Sequence, residues 1–225
     1  LPDGYTTKQW ADSPESGFVR EVNGRYYLNP AYSEVSDFIS AAAAEILDNY
    51  QVDGIHIDDY FYPTTDPDFD RDAFEASGAS DLAQWRRDNV TRFVKQLYDT
   101  VKSRNNDLRF GISPQGNIDV NYNTQYADVK LWSGNKGYAD YIIPQIYYGF
   151  NNATLPFEPT LRQWEELVGN SGVSLVIGLA AYKQGKYDQW AGAVGENEWI
   201  DDPNVIQKQI ELVKTSRADG YALYE

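Results

Sequence analysis

Residue types that build several common kinds of protein site are missing from this chain or nearly so. Its 225 residues include no Cys, no Met and one His. Without Cys neither a disulfide nor a thiolate metal site can form, and a single His excludes a multi-histidine zinc site. No apolar run approaches the length of a membrane span. Because the chain has no Met, Leu1 is not a natural start, and we expect a fragment or a processed product.

Basic residues are also scarce: 19 Lys and Arg stand against 34 Asp and Glu, which gives a formal net charge of −15. This charge repels phosphate backbones and anionic lipid surfaces, so nucleic acid is not an expected partner. Aromatic residues, in contrast, are plentiful, with 18 Tyr and 6 Trp. Flat rings stack on sugar faces and their polar edges bind hydroxyls, which favours a neutral polyhydroxylated ligand. The alternative interpretation is that most of these rings form the core.

The most informative stretch is residues 54–63, GIHIDDYFYP. It begins as a strand with β-branched residues, continues into two acids, and ends in aromatics and a proline that stops ladder hydrogen bonding. Alternation along a strand places His56, Asp58 and Tyr60 on one face and Asp59 on the other. Adjacent acids at the end of an apolar strand are costly to desolvate and are tolerated mainly where their charge is used. The alternative is an Asp pair that caps the following turn.

The first half of the chain contains clear local signals. Asn23-Gly24 between two apolar segments predicts a hairpin of residues 18–22 and 25–28 within an otherwise long loop. Helical periodicity predicts helices over 33–49 and 81–103. Residues 64–77 alternate Asp but lack the glycine and terminal glutamate of a calcium loop, so they predict a solvated loop.

The second half repeats strand and helix. The predicted strands and helices, in order, are strand 108–117, helix 124–136, strand 140–149, helix 160–169, strand 173–182, helix 204–217 and strand 220–224. Such alternation predicts parallel βα units with right-handed crossovers. Every polar cluster follows a strand, as on the functional face of a TIM barrel, and the Gly-rich phosphate loop of a doubly wound sheet is not found.

The predicted fold is therefore α/β, a TIM (β/α)8 barrel that is incomplete in this chain. About five βα units are counted, which leaves the first three strands missing. We expect one domain over residues 1–225, with 1–32 as a βα loop carrying the hairpin and 33–225 as the βα repeats.

Four segments resemble the glycosyl hydrolase-like 10 family: residues 52–63 (VDGIHIDDYFYP), 27–30 (YLNP), 110–114 (FGISP) and 144–148 (PQIYY). The resemblance covers nearly the whole chain. It implies a TIM-barrel glycosidase of the bacterial cell envelope, therefore extracytoplasmic, with some relatives acting on peptidoglycan glycan strands. It also implies that the catalytic element is the pair Asp58 and Asp59.

Glycoside hydrolysis normally needs two carboxyl groups, one acid and one nucleophile or base. Asp58 is the first choice for one, because it shares a face with His56 and Tyr60, which could orient it. The second stays open among Asp59, Glu225, Asp119 and a residue on the missing segment.

Substrate-binding residues are expected at the ends of later strands. Amides there would bind sugar hydroxyls or an N-acetyl group, and rings there would stack on sugars, with loop capping and core packing as the alternatives. The candidates are Gln115, Asn117, Gln145, Trp132, Tyr147, Tyr148 and Tyr182, together with His56 and Tyr60.

Three functional hypotheses follow. The first is a glycoside hydrolase that acts on a cell-envelope polysaccharide, for example peptidoglycan glycan strands, without cofactor or metal. The second is a glycan-binding barrel without turnover. The third is a metal-assisted hydrolase that uses His56, Asp58 and Glu225 as ligands. The expected partners are an oligo- or polysaccharide and, for the incomplete barrel, the missing N-terminal segment or a second copy.

Overall fold

The computed structural model describes residues 3–59 and 61–225, which form seven β-strands and nine α-helices. The strands are β1 Val19–Val22, β2 Arg25–Leu28, β3 Gly54–Asp58, β4 Arg109–Ser113, β5 Tyr141–Ile142, β6 Ser174–Ala180 and β7 Gly220–Tyr224. The helices are α1 Thr6–Ala11, α2 Ser33–Asn49, α3 Arg71–Ser77, α4 Leu82–Arg104, α5 Ile118–Asn123, α6 Val129–Gly134, α7 Phe157–Val168, α8 Glu198–Asp201 and α9 Val205–Lys214. Short 3-10 turns occupy Pro14–Ser16, Pro67–Phe69 and Ala181–Lys183. None of the helices in this described part combines the length and the apolarity needed to cross a membrane.

Two compact units make up the chain, and the first comprises residues 3–55, 61–108 and 119–128. Here α2 packs against α4, and β1 pairs antiparallel with β2. Asn23 and Gly24 both have positive φ (52° and 77°), which is the backbone that a tight two-residue hairpin requires. Helix α4 begins where the Asp81 carboxylate accepts the backbone N–H of Gln84 at 3.0 Å.

A buried ion pair lies inside this first unit. The side chains of Arg86 on α4 and Asp70 at the start of α3 are both inaccessible to solvent, and Arg86 Nη2 lies 2.6 Å from Asp70 Oδ1. Arg86 also donates to the phenol of Tyr126 at 3.1 Å and to the carbonyl of Asp66 at 2.7 Å. The guanidinium therefore joins the segment that follows β3 to the long helix α4.

The second unit comprises residues 56–59, 109–118 and 129–225 and contains the main sheet, whose strand order is β3-β4-β5-β6-β7. The pairs β4–β5, β5–β6 and β6–β7 are parallel. One face of the sheet is buried, and α7 and α9 pack against β6. Its core side chains include Phe110, Ile112, Ile142, Leu175, Ile177 and Leu179. The alternate positions, which include the exposed His56 and Asp58, lie on the other face.

These observations confirm the predicted α/β class, the hairpin, and the helices over 33–49 and 81–103, which appear as α2 and α4. Two loop predictions are wrong, because residues 3–17 contain α1 and residues 64–77 contain α3. In the second loop, Asp70 is buried rather than solvated, since Arg86 neutralises it.

Two element predictions in the second half need correction. The predicted helix 124–136 is reduced to α6, because Tyr126 has a φ of 56° that a right-handed helix does not accommodate, and α5 lies just before the predicted range. The predicted strand 140–149 is reduced to Tyr141–Ile142 followed by an isolated bridge at Gln145, because Pro144 between them has no N–H to donate.

Candidate active site

Asp58, the last residue of β3, has a carboxylate whose orientation is fixed by two N–H donors. Gln145 Nε2 donates to Asp58 Oδ1 at 2.6 Å, and the backbone N–H of Asp59 donates to the same oxygen at 3.1 Å. Asp58 remains exposed to solvent despite these contacts. The two donors therefore fix the orientation of a carboxylate that a ligand can approach.

Gln145 is itself held firmly. Its backbone N–H donates to the Pro114 carbonyl at 2.9 Å, and its carbonyl accepts the N–H of Gly116 at 3.1 Å. Its side-chain amide donates a second hydrogen bond to the Ser113 carbonyl at 3.0 Å, so both amide protons are used. Gly116 can make this close approach because it has no side chain; a Cβ there would lie 2.6 Å from the Gln145 carbonyl oxygen.

Three tyrosines at the ends of neighbouring strands form a cluster in this unit. Tyr147 and Tyr224 are stacked, with ring centroids 5.8 Å apart and planes at 9°, and Tyr182 packs edge-on against both at 6.0 and 5.7 Å. Burial raises the pKa of Tyr147 to about 12, and the nearby carboxylates of Asp58 and Asp59 act in the same direction. The Tyr147 phenol therefore keeps its proton at neutral pH, close to the acidic pair. Tyr224 is 59% exposed and offers ring area to solvent.

His56 occupies the next position inward on the same face as Asp58. Its ring stacks on Tyr141 with centroids 5.6 Å apart, and His56 Nδ1 lies 3.1 Å from the Tyr141 phenol oxygen. Tyr141 reaches it by lying across Gly111, where a Cβ would be 2.0 Å from the Tyr141 ring. Partial burial lowers the pKa of His56, and the Asp58 carboxylate opposes that shift only in part. A neutral imidazole at neutral pH follows.

The sequence placed other candidates at strand ends, and the structure places them as follows. Gln115 bridges to Gln145 beside it in the sheet. Tyr182 lies in the 3-10 turn after β6, and Glu225 directly follows β7. Tyr148 is partly buried against Gly116; burial raises its pKa to about 12, and a hydrogen bond from the Asn117 backbone opposes this shift.

Three further predicted residues are treated separately. The prediction that Trp132 is a sugar platform is wrong, because this residue of α6 has its side chain fully buried in the core. Asp119 lies in the first turn of α5. Tyr60 falls outside the described residues.

The metal hypothesis finds no geometric support in the described residues, which contain no group of three or more His, Asp or Glu side chains arranged to hold a metal ion. His56, Asp58 and Glu225 therefore do not form the expected ligand set. His56 instead pairs with a tyrosine, as a lone histidine on a strand often does.

Tyr224 was missed by sequence reasoning. The signal was available in the strand alternation, since Tyr224 stands opposite Ala180 in the parallel register of β6 and β7. Its partners Tyr147 and Tyr182 were both identified. What the sequence could not supply was the pairing that brings these three strand ends together.

Comparison with known proteins places these features in a family. The model of the glycosyl hydrolase-like 10 family matches residues 7–192, which includes the acidic pair, Gln145 and two of the three clustered tyrosines. The chain belongs to this family. The prediction made from the four sequence segments is thus confirmed.

Individual relatives carry the corresponding names. The chain is 34% identical over 228 residues to glycosyl hydrolase YngK of Bacillus subtilis, covering 88% of this chain and 42% of that protein. It is 31% identical over 216 residues to glycosyl hydrolase DigH of Escherichia coli K12, covering 87% of this chain and 48% of that protein. The chain thus spans less than half the length of these relatives.

Among solved structures, the fold is similar to the spore cortex-lytic enzyme SleL of Bacillus megaterium. The TM-score is 0.51 at 15% identity, with 100% of this chain and 60% of that chain covered. At this identity the match concerns the fold alone, and it agrees with the α/β architecture of parallel strands and helices.

Proposed function

We propose that this chain carries the catalytic face of a glycoside hydrolase that cleaves a bacterial cell-envelope polysaccharide, with peptidoglycan glycan strands as the first substrate to test. The observation that carries the proposal is the geometry of Asp58. An exposed carboxylate at a strand end is oriented by two N–H donors and lies near a tyrosine cluster. Membership in the glycosyl hydrolase-like 10 family supports the reaction class.

Asp58 is assigned the charged role in this reaction. Two N–H donors hold its carboxylate in one orientation, which suits a group that must face a fixed point of the sugar ring. Asp58 is suited to stabilise the positive charge that develops on the sugar ring, or to attack the anomeric carbon as a nucleophile. Because both donors contact Oδ1, the oxygen proposed to face the sugar is Oδ2.

The second carboxyl group is proposed to be Asp59, with Glu225 as the alternative. The support is that the charges of Asp58 and Asp59 both raise the pKa of the Tyr147 phenol. Glu225 follows Tyr224, whose ring stacks on Tyr147. Protonated Tyr147 would donate a hydrogen bond either to a sugar hydroxyl or to one of these carboxylates.

The remaining polar and aromatic groups are proposed to bind sugar. The exposed ring of Tyr224 offers stacking area, and the phenols of Tyr147 and Tyr182 and the amides of Gln115 and Asn117 are proposed to bind hydroxyl or N-acetyl groups. His56 and Tyr148 would line the site rather than react.

The main sheet is proposed to be part of a (β/α)8 barrel whose interior face carries His56 and Asp58. The support is its parallel pairing, the helices on one face, and the polar, accessible residues on the other. In such a barrel the ends of the strands that carry Asp58, Gln145, Tyr182 and Tyr224 form the functional mouth. The proposed substrate places the protein outside the cytoplasm.

The direct test is product analysis. Peptide-free glycan strands are incubated with the protein, and new reducing ends and their anomeric configuration are measured by mass spectrometry and NMR, with chitin and an unrelated glucan as controls. Cleavage of the glycan strands supports the proposal. If no polysaccharide is cleaved but strands are bound, the alternative of a glycan-binding barrel is favoured. That alternative is supported by Gln145 and Tyr182, because these later strand ends carry no second carboxyl group.

Asp59→Asn is expected to lower kcat by about 10²-fold on an unactivated glycan but much less on an aryl glycoside with a good leaving group. The reason is that a good leaving group departs without a proton, so the loss of the acid matters little. Glu225→Gln is the matched variant for the alternative assignment. If both variants respond equally to both kinds of substrate, neither residue is the acid.

Gln145→Met is expected to lower kcat by roughly 10- to 100-fold, with a smaller change in KM, because Met keeps the length of the side chain but cannot orient Asp58. The matched control is Gln207→Met, an exposed position on α9 that should leave both constants unchanged. Gln145 is a positioning residue in this proposal, so an unchanged kcat would contradict the role given to its 2.6 Å contact.

A further inference from the structure

The segment between β6 and α9 presents a tryptophan that folding does not explain. Trp190 is 81% exposed, and nearby Val194 and Tyr187 are 78% and 55% exposed. An indole in water forgoes the apolar burial that makes Trp stabilising in a core. A scattered exposed residue on a loose loop would need no comment, but this segment is firmly held.

Two hydrogen bonds fix the backbone around Trp190. Its N–H donates to Asp188 Oδ1 at 3.2 Å, while Asp188 Oδ2 accepts a hydrogen bond from Lys183 Nζ at 2.7 Å. Asp188 is 5% exposed, and Ala191 on the other side is 1% exposed. The ring therefore projects from an ordered backbone next to buried residues, so little backbone freedom remains to be lost on binding.

The segment is also packed against the loop that follows β5. The N–H of Ala153 donates to the Ala191 carbonyl at 2.8 Å, and both Glu198 oxygens accept backbone N–H groups of Phe150 and Asn151 at 2.9 Å. A Cβ on Gly195 would lie 2.6 Å from the Asn151 carbonyl oxygen, so this contact depends on glycine. Two loops after neighbouring strands thus form one platform under Trp190.

This platform is continuous with the candidate active site. It begins at Tyr182, a member of the tyrosine cluster, and Lys183 donates both to Asp188 and to the Tyr147 carbonyl at 2.8 Å. The same lysine therefore ties the Trp190 segment to the residue that neighbours the acidic pair. Hydrogen bonds therefore connect the segment that carries the exposed indole to the tyrosine cluster.

We infer that Trp190 is an outlying sugar-stacking subsite that binds a glycan chain beyond the bond being cleaved; this inference rests on the proposed function. One exposed ring on an ordered loop suits a sugar, whose apolar face matches a single indole. It suits a protein partner less well, because a specific protein interface buries roughly 800 Å² on each side and has a broad apolar centre. In this inference, the ring gives a preference for long glycan chains and takes no part in the chemical step.

The test compares chain lengths. Wild type, Trp190→Ala, Trp190→Phe and the control Val194→Ala are assayed on peptide-free glycan fragments that are short and long, with kcat and KM measured for each. We expect Trp190→Ala to raise KM about two- to tenfold on long strands only, with kcat unchanged, and Trp190→Phe to retain most of the preference. Val194→Ala should resemble wild type, and all four proteins should melt alike.

Each other result overturns the inference in a distinguishable way. If wild type cleaves glycans and Trp190→Ala keeps the same length dependence, the subsite is wrong and the proposed function stands. Equal loss on short and long fragments would place the ring at the bond that is cleaved. Glycan kinetics unaffected by Trp190→Ala, together with loss of self-association or protein binding, would assign the ring to a protein partner. A wild type that neither binds nor cleaves glycan would overturn both proposals.

Discussion

Asp58→Asn is expected to reduce kcat on glycan strands by about 10³- to 10⁴-fold while leaving the dissociation constant for the same strands within a few-fold of wild type. The amide has the shape of the carboxylate, and its oxygen can still accept the Gln145 and Asp59 N–H groups. What it loses is the negative charge, which a forming oxocarbenium ion needs and a ground-state sugar does not.

Two measurements on one preparation decide this prediction. Turnover is followed as new reducing ends, and binding is followed by calorimetry on the inactive variant, so that no substrate is consumed. Asp201→Asn, the same change at an exposed position on α8, is the control for nonspecific effects and should match wild type in both. A variant that keeps turnover within tenfold of wild type would remove Asp58 from the reaction and make Asp59 the charged carboxylate.

The Asp58→Asn variant also distinguishes a glycoside hydrolase from a glycan-binding barrel without turnover. If the chain only binds glycans, Asp58→Asn changes nothing in the turnover assay, because wild type has no turnover to lose. Loss of binding together with turnover would instead mean that Asp58 holds the substrate by a hydrogen bond. The three outcomes assign Asp58 to chemistry, to no chemistry, or to binding.

Local signals in the sequence were sufficient for elements whose residues repeat regularly. The apolar spacing of α2 and α4 and the Asn23-Gly24 turn each depend on neighbours a few residues apart, and all three were predicted correctly. The acidic pair became a candidate because two acids end an apolar strand, and Gln145 because it lies at the end of a later strand. The contact of 2.6 Å between Gln145 and Asp58 joins residues 87 apart, and only the folded chain could reveal it.

The failures share a physical cause, which is burial decided by distant partners. Trp132 lies in the predicted helix 124–136 and was a candidate sugar platform, but the side of α6 that faces the core cannot be read from so short a helix. Asp70 lies among exposed aspartates, and nothing local indicates that Arg86 will bury it. In a sequence, polar residues of a buried pair look like surface residues, because the pattern shows that a residue is polar but not whether a partner will pair with it in the core.

Arg86→Met is the second change with a large expected effect, here on stability. It should lower the free energy of unfolding by about 3–5 kcal/mol, because it leaves the Asp70 carboxylate buried without its partner. Met fills much of the volume of the arginine stem, so the loss comes mainly from the unpaired charge and from the hydrogen bonds to Tyr126 and the Asp66 carbonyl. Urea denaturation followed by tryptophan fluorescence and circular dichroism measures the change.

The same helix supplies the control for that prediction. Arg104 on α4 pairs with Asp48 at 3.3 Å where both side chains are substantially exposed, so Arg104→Met should cost less than about 1 kcal/mol. Removing both buried charges, in Arg86→Met with Asp70→Leu, should recover part of the loss, since an apolar pair leaves no uncompensated carboxylate. If the double variant is as unstable as the sum of its two single variants, the pair is not coupled. The stabilising contribution of Arg86 would then come from packing against the Tyr62 and Tyr126 rings, which lie 5.1 and 5.0 Å from its guanidinium carbon.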